Sequence, residues 1–279
     1  MLAPRGVPST CDDRPVAPAS TSTNGPIEAR SGAQSVERAL AVLRCFERAP
    51  GSVGVSEIAV ATGLSVSTAH RLVRALCAGG LLTQDVRTER YQLGPLLVVL
   101  GRRAEDQLGY ARALPALESL AEVTRESVNL GIRSGAEVLV VLAVASSQPL
   151  RFDQLAGSRV PIHTSAMGKC LLAFVGPGAD PLGDLPRLGR FTDRTITRQD
   201  ELLAALRQTR ERGWALNDEE RNPGVRAVAA PVLDVNGTAV AAVAVQGPAL
   251  RLTDDRLPAV ADRIAEATKA IAPVLAATG

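Results

Sequence analysis

Lysine is almost absent from this chain. Of its 31 basic residues only Lys169 and Lys269 are lysines, and the rest are arginines. Acidic residues number 29, which leaves a formal charge of +2. The total therefore lacks the strong basic excess that usually marks a nucleic-acid partner, although a small basic face fits inside a neutral total. Long apolar runs are missing too. The longest, 138–145 and 239–245, are strand-length, short of the roughly 18 residues that cross a bilayer, so no membrane partner is expected. Residues 1–33 hold five prolines and no apolar h-region, so a secretory signal is not expected. Cys11, Cys45, Cys77 and Cys170 stand singly with no CxxC pair, and the histidines are only His70 and His163. Neither a disulfide framework nor a metal site is expected, and no cofactor is implied. No internal repeat is present. What remains is a cytoplasmic, globular chain. Its 46% apolar content argues against wholesale disorder, and 279 residues suit one large domain or two ordinary ones.

Residues 1–33 are rich in Pro, Ser, Thr, Ala and Gly without hydrophobic periodicity, and read as a disordered tail. From Gln34 the pattern changes. Val36, Leu40, Leu43 and Phe46 recur at helical spacing, and Pro50 and Gly51 end the run. A second helix carries Val55, Ile58, Ala59 and Thr62 on one face, and Gly63 punctuates a tight turn. Ser65 is a fitting N-cap for a third helix, because its hydroxyl can accept from a free backbone N–H. Val66, Ala69, Val73 and Leu76 would be that helix's buried stripe, stopped by Gly79 and Gly80. Residues 81–84 and 90–93 read as two strands around a polar turn. Pro95 can open a further helix, and Leu114, Leu117, Ala121 and Val123 mark the next. Strands are then expected at 129–133, 138–145, 225–233 and 239–246, the last two joined as a hairpin at Asn236-Gly237. A helix over 198–212 has a capping-box start in Thr197 and Asp200. The last helix begins near Thr253, with Leu257, Val260, Ile264, Ala267, Ile271 and Val274 as its stripe.

Three helices and a two-stranded wing within about 60 residues describe a winged helix-turn-helix. If one face of the third helix is buried, Ser65, Ser67, Thr68, His70, Arg71 and Arg74 point elsewhere. Hydroxyls at a helix N-terminus bond phosphate or base edges, and Arg grips guanine with two hydrogen bonds. No acid occurs between Ser65 and Gln84. Arg87 and Arg90 at the wing would reach backbone phosphates, diluted by Asp85 and Glu89. Residues 34–94 carry seven basic residues against five acids, too small an excess for a monomer to hold DNA well at physiological salt. A homodimer or dimer of dimers is therefore expected on double-stranded operator DNA, with half-sites about 34–36 Å apart or a multiple of that.

Here the chain resembles the IclR family of bacterial transcription regulators. The resemblance rests on Ser35-Val36-Glu37-Arg38-Ala39-Leu40, Ser56-Glu57-Ile58-Ala59, Thr62-Gly63-Leu64-Ser65, His70-Arg71-Leu72-Val73 with Ala75-Leu76, and Tyr91-Gln92-Leu93-Gly94.

The C-terminal half offers His163-Thr164-Ser165-Ala166-Met167-Gly168-Lys169. Ser165 and Lys169 are four apart, not the three of a Ser-x-x-Lys nucleophile, and nothing supports a triad. A structural role for His163 is favoured over chemistry. Helix N-termini attract anions, so a carboxylate-bearing ligand near 165–168 is a fair expectation. Gly176-Pro177-Gly178 lacks the ending of a phosphate loop. This half resembles the family's effector-binding domain at Pro161 through Leu172, at Gly213-Trp214-Ala215-Leu216-Asn217-Asp218-Glu219-Glu220, at Gly224 through Pro231, and at Val245-Gln246-Gly247-Pro248.

The resemblance spans about 34–275 and implies an α+β architecture. A disordered tail (1–33) would precede the winged helix-turn-helix (34–94). A helical linker used for dimerisation (95–127) would join it to a GAF-like effector-binding domain with a curved antiparallel sheet (128–279). It implies a ligand-responsive repressor or activator with a small-molecule effector near Ser165, Ala166, Met167, Asn217, Ala227, Ala244 and Gln246. Against the family pattern, Asn217 replaces a frequent acid, Ala227 a frequent cysteine, and Ala244 and Gln246 frequent serines. Met167 adds a flexible apolar wall. Those losses of hydrogen-bonding groups suggest an organic or aromatic acid more apolar than a short keto acid. Two other readings stay open: a small-molecule enzyme with an appended DNA-binding domain, and an architectural DNA-binding protein without an effector.

Overall fold

A computed structural model describes residues 25–47, 49, 51–183 and 185–276. The chain divides into two compact units, Met1–Pro95 and Leu96–Gly279. Among the described residues, no helix is long and apolar enough to cross a membrane.

The first unit contains α1 (Gly25–Arg44), α2 (Val55–Thr62), α3 (Val66–Ala78), β1 (Leu82–Gln84) and β2 (Tyr91–Leu93). Residues 1–24 of the expected tail lie outside the described residues, and α1 begins inside that tail at Gly25 rather than at Gln34. Its expected stripe is corrected as well. Val42 and Phe46 are buried, whereas Val36 and Leu40 are exposed. Gly63 closes α2 with φ of 67°, a left-handed conformation that costs glycine little. Ser65 caps α3 by accepting from the Thr68 N–H at 3.2 Å. Ala69, Val73 and Leu76 fill the core with Val42, Ile58, Leu82 and Tyr91, while Val66 is exposed despite its place in the expected stripe. β1 and β2 pair antiparallel from Leu82↔Leu93 to Gln84↔Tyr91, and Val53 adds a bridge to Tyr91.

The second unit holds α4 (Pro95–Leu108), α5 (Tyr110–Thr124), β3 (Ser127–Ser134), β4 (Glu137–Val144), β5 (Arg159–Pro161), α6 (Ala166–Ala173), α7 (Gln199–Arg212), β6 (Ala215–Asp218), β7 (Val225–Leu233), β8 (Ala239–Pro248) and α8 (Leu257–Ala276). The strands form one antiparallel sheet in the order β5-β4-β3-β8-β7-β6, so the class is α+β. Both faces are covered, which explains why β7 and β8 read as continuous apolar runs instead of alternating ones. Val228, Ala230, Val232, Ala241, Val243 and Val245 pack with α5 and α8. Ala227, Ala229, Ala242 and Ala244 point the other way, into the core with α6 and α7.

Three local expectations change. α5 falls in the stretch read as linker, yet Ala113, Leu117, Leu120 and Ala121 sit in the core of the sheet, and Val123 is exposed. α7 starts without the Thr197–Asp200 capping box. Its N-cap is Arg198, whose guanidinium bonds Asp200 at 2.8 and 3.0 Å. α8 begins at Leu257, four residues beyond Thr253. The hairpin at Asn236-Gly237 forms as the pattern suggests, with Gly237 at φ of 76°.

Candidate functional site

The first site is built on α3. Its apolar stripe faces the core, and the helix period leaves Ser65, Ser67, His70, Arg71 and Arg74 exposed on the outside, with Thr68 half-buried. The Ser65 hydroxyl lies 3.1 Å from that of Ser67 and 2.9 Å from that of Thr68, so one hydroxyl cluster sits at the helix N-terminus. Among the described residues, Arg71 and Arg74 form no ion pair, which leaves both guanidiniums available to an anionic partner. Arg87 is exposed at the wing tip, where its backbone N–H is held by Asp85 at 2.8 Å.

Arg90 is different from these. Its guanidinium bonds both oxygens of Glu57, at 3.0 and 2.8 Å, and also the Ser52 hydroxyl at 3.2 Å and carbonyl at 2.8 Å. Its donors are thus engaged in tying the wing to α2. The same guanidinium, with the Gly54 N–H, holds the Glu57 carboxyl below its ordinary value.

The second site is a cleft between the N-terminus of α6 and the α6-facing side of the sheet. Ser165, Ala166, Met167, Asn217, Ala227, Ala244 and Gln246 all line it. They come from the α6 start, β6, β7 and β8, so the fold brings together what lay up to 81 positions apart in sequence. Ser165 caps α6 by accepting from the Gly168 N–H at 2.8 Å. Gly168 is required there because a methyl group at that position would collide with the Ile162 carbonyl. Met167 lies against Gly131, where a Cβ would stand 2.9 Å from its Sδ. Gln246 donates from Nε2 to Asn129 Oδ1 at 2.5 Å, and Asn129 donates to the Gln154 carbonyl at 2.9 Å. Asn217 Oδ1 accepts from the Glu220 N–H at 2.9 Å. Several polar ends of the cleft are thus used within the protein. The space left is about 20 Å3, room for about one water.

The cleft also contains residues that carried no local sequence signal: Phe152 and Gln154 from the β4–β5 segment, and Arg221 and Asn222 after β6. Arg221 is half-buried and, among the described residues, has neither a hydrogen bond nor an ion pair. Burial pushes its guanidinium below the ordinary arginine value. The Gln154 Nε2 is buried without a partner.

Cys170 and His163 serve the packing of this unit. Cys170 is buried, its thiol donates to the Ala229 carbonyl at 3.2 Å, and burial pushes it up to about 12. The thiolate that would react is therefore absent at neutral pH. His163 uses Nε2 on the Gly189 carbonyl at 3.0 Å, a structural bond as expected.

Comparison with known proteins gives concordant findings. Residues 110–273 match the family described as bacterial transcriptional regulator IclR C-terminal, and 35–86 match the IclR helix-turn-helix domain. The chain is 37% identical over 244 residues to the HTH-type transcriptional regulator BhcR of Paracoccus denitrificans, covering 87% of each. It is 32% identical over 252 residues to the HTH-type transcriptional repressor AllR of Salmonella typhimurium, covering 88% of this chain and 92% of AllR. A solved structure of a transcriptional regulator from Rhodococcus sp. RHA1 is similar with a TM-score of 0.72 and 32% identity, covering 88% of this chain and 99% of the other.

Proposed function

The chain belongs to the IclR family and is a DNA-binding transcriptional regulator, not an enzyme, and from that premise we propose that it answers to a small organic acid held in the α6 cleft. The observation that carries this reading is the convergence of seven side chains from four separated segments on one nearly closed cleft at a helix N-terminus. The first-turn amides of a helix lack partners within it and favour an anion. Ala227, Ala244 and Met167 supply apolar walls for the ligand's body. The small free volume means that an acid must part those walls to enter. A ligand that binds the parted arrangement better than the closed one shifts the population between them, which is the differential affinity that control of DNA binding needs.

On the DNA side, the α3 face with Arg71 and Arg74 reads the operator, helped by Ser65, Ser67, Thr68, His70 and Arg87. The regulator acts in the cytoplasm as a homodimer or dimer of dimers. Exposed apolar side chains on α1 (Val36, Leu40) and on α4 (Val98, Val99, Leu100) support pairing, because a lone chain leaves them in water. AllR is named a repressor, and repression is the mode proposed for this chain.

The test combines fluorescence anisotropy on the DNA upstream of the chain's own coding sequence with a thermal-shift panel of aliphatic and aromatic carboxylic acids. An acid that raises Tm and lowers operator affinity is the expected result. A panel in which no acid changes either quantity overturns the effector reading and leaves the family's DNA-binding assignment in place.

A further inference from the structure

The effector cleft contains two hydrogen-bond donors that the protein itself does not satisfy. Arg221 follows β6, and Gln154 precedes β5. Both line the cleft. A half-buried guanidinium without a counterion is costly, because desolvation disfavours charge unless a partner compensates. A buried amide N–H2 without an acceptor carries a similar penalty. Asn129, Gln246 and Ser165 in the same neighbourhood do have bonded partners.

The two that line the cleft are donors, and neither can be satisfied by a cation or an alkyl group; the other buried side-chain atom without a hydrogen-bond partner among the described residues, Glu220 Oε2, belongs to the carboxylate paired with Lys169 and does not line the cleft. The two donors ask for an anionic acceptor. They also belong to different elements from the α6 N-terminus, which is the anion site of the reading above. We infer that the cleft takes a ligand with two acidic groups, a small dicarboxylic acid, one carboxylate lying at the α6 N-terminus and the second engaging Arg221 and the Gln154 amide. Arg221 presents a planar fork that pairs with a carboxylate through two parallel bonds. The apolar walls of Ala227, Ala244 and Met167 would face the carbon chain between the two acids. A ligand of this kind has polar ends and an apolar middle, which fits a cleft lined by both apolar side chains and unsatisfied donors.

This inference rests on the effector reading, and the experiment separates the two. Calorimetry on the full-length protein compares malonate, succinate and glutarate with the monomethyl ester of each. The inference expects at least one diacid to bind ten times or more tighter than its own monoester. That preference should collapse toward unity in Arg221→Gln and shrink in Gln154→Leu. If a diacid and its ester bind equally well, or if the preference survives in both variants, the second acidic site is overturned while acid sensing stands. If no acid of either kind binds the unaltered protein, both readings fall together.

Discussion

Lys169 and Glu220 form an ion pair inside the second unit, joining the middle of α6 to the end of β6. Both are buried, and the Lys169 ammonium also donates to the Leu216 carbonyl at 2.5 Å. Burial holds the ammonium below the ordinary lysine value against the opposing pull of Glu220. The pair connects two walls of the cleft, because Ser165, Ala166 and Met167 precede Lys169, while Asn217 and Arg221 flank Glu220. Removing one partner leaves a buried charge without compensation. Lys169→Met or Glu220→Gln should each cost about 3–5 kcal/mol of stability, and Lys169→Met with Glu220→Leu should recover a large part of it. Urea unfolding of the three variants checks this. Single variants as stable as the parent would show that the pair does not hold the walls.

The arginines of the first unit should separate into two classes. Arg71 and Arg74 are exposed and unpaired among the described residues, so Arg→Ala at either should weaken operator binding. Removing a guanidinium that reads a base costs about 1–3 kcal/mol and relaxes specificity at one position, whereas removing one that holds a phosphate weakens all sequences alike and lowers the salt slope by about one. Arg90→Ala should instead lower the folding stability of that unit and leave the salt slope of DNA binding unchanged, because its guanidinium is spent on Glu57 and Ser52. Anisotropy titrations across a salt series distinguish the classes. A fall in salt slope for Arg90→Ala equal to that of Arg71→Ala would refute the distinction.

Acid should loosen the first unit through Glu57. Its folded carboxyl sits below the ordinary value, chiefly through its bond to Arg90. A depressed acid contributes stability that is full above the unfolded value, about 4.3, and is lost as pH falls through the lower folded value. Amide exchange at Ile58 and Tyr91 should therefore accelerate as pH drops below about 4 once the intrinsic pH dependence is removed. Glu57→Gln should flatten that response. An identical acid response in the variant would assign it to other carboxylates.

Much of this was legible because it follows from local rules. Ser65 precedes an apolar stripe and caps α3, Gly63 turns the chain, and Asn236-Gly237 joins two apolar runs. The residues that line the cleft were legible for another reason: Ser165, Asn217, Ala227 and Gln246 lie in stretches that resemble a known family. What escaped depended on distance. Periodicity says that Val36, Leu40 and Val123 share helix faces with core residues, but not that those positions stay uncovered in one chain. Arg90 looked free because Glu57 lies 33 residues away. α5 looked like linker because the helix it packs against, α8, begins more than 100 positions later. Arg221 sits in a polar turn that no periodicity marks, and only the closed cleft shows that it lacks a counterion.

Met167 gives the sharpest handle on ligand size. It is buried, lines the cleft, and its sulfur lies over the bare backbone of Gly131. Met→Ala removes an apolar wall from a site with almost no free volume. The stability cost should be about 2–5 kcal/mol, the usual range for emptying a packed position, and lower if water enters the polar side of the cleft. The gain should appear in selectivity. With the wall gone, a bulkier acid no longer has to displace the methionine, so affinity should shift toward larger ligands and away from smaller ones, which no longer fill the space. Calorimetry with a graded series of carboxylic acids on the parent and on Met167→Ala reads this directly. If the rank order of the series is the same in both proteins, Met167 is core packing, and the size limit of the cleft is set elsewhere, with Phe152 the next residue to test.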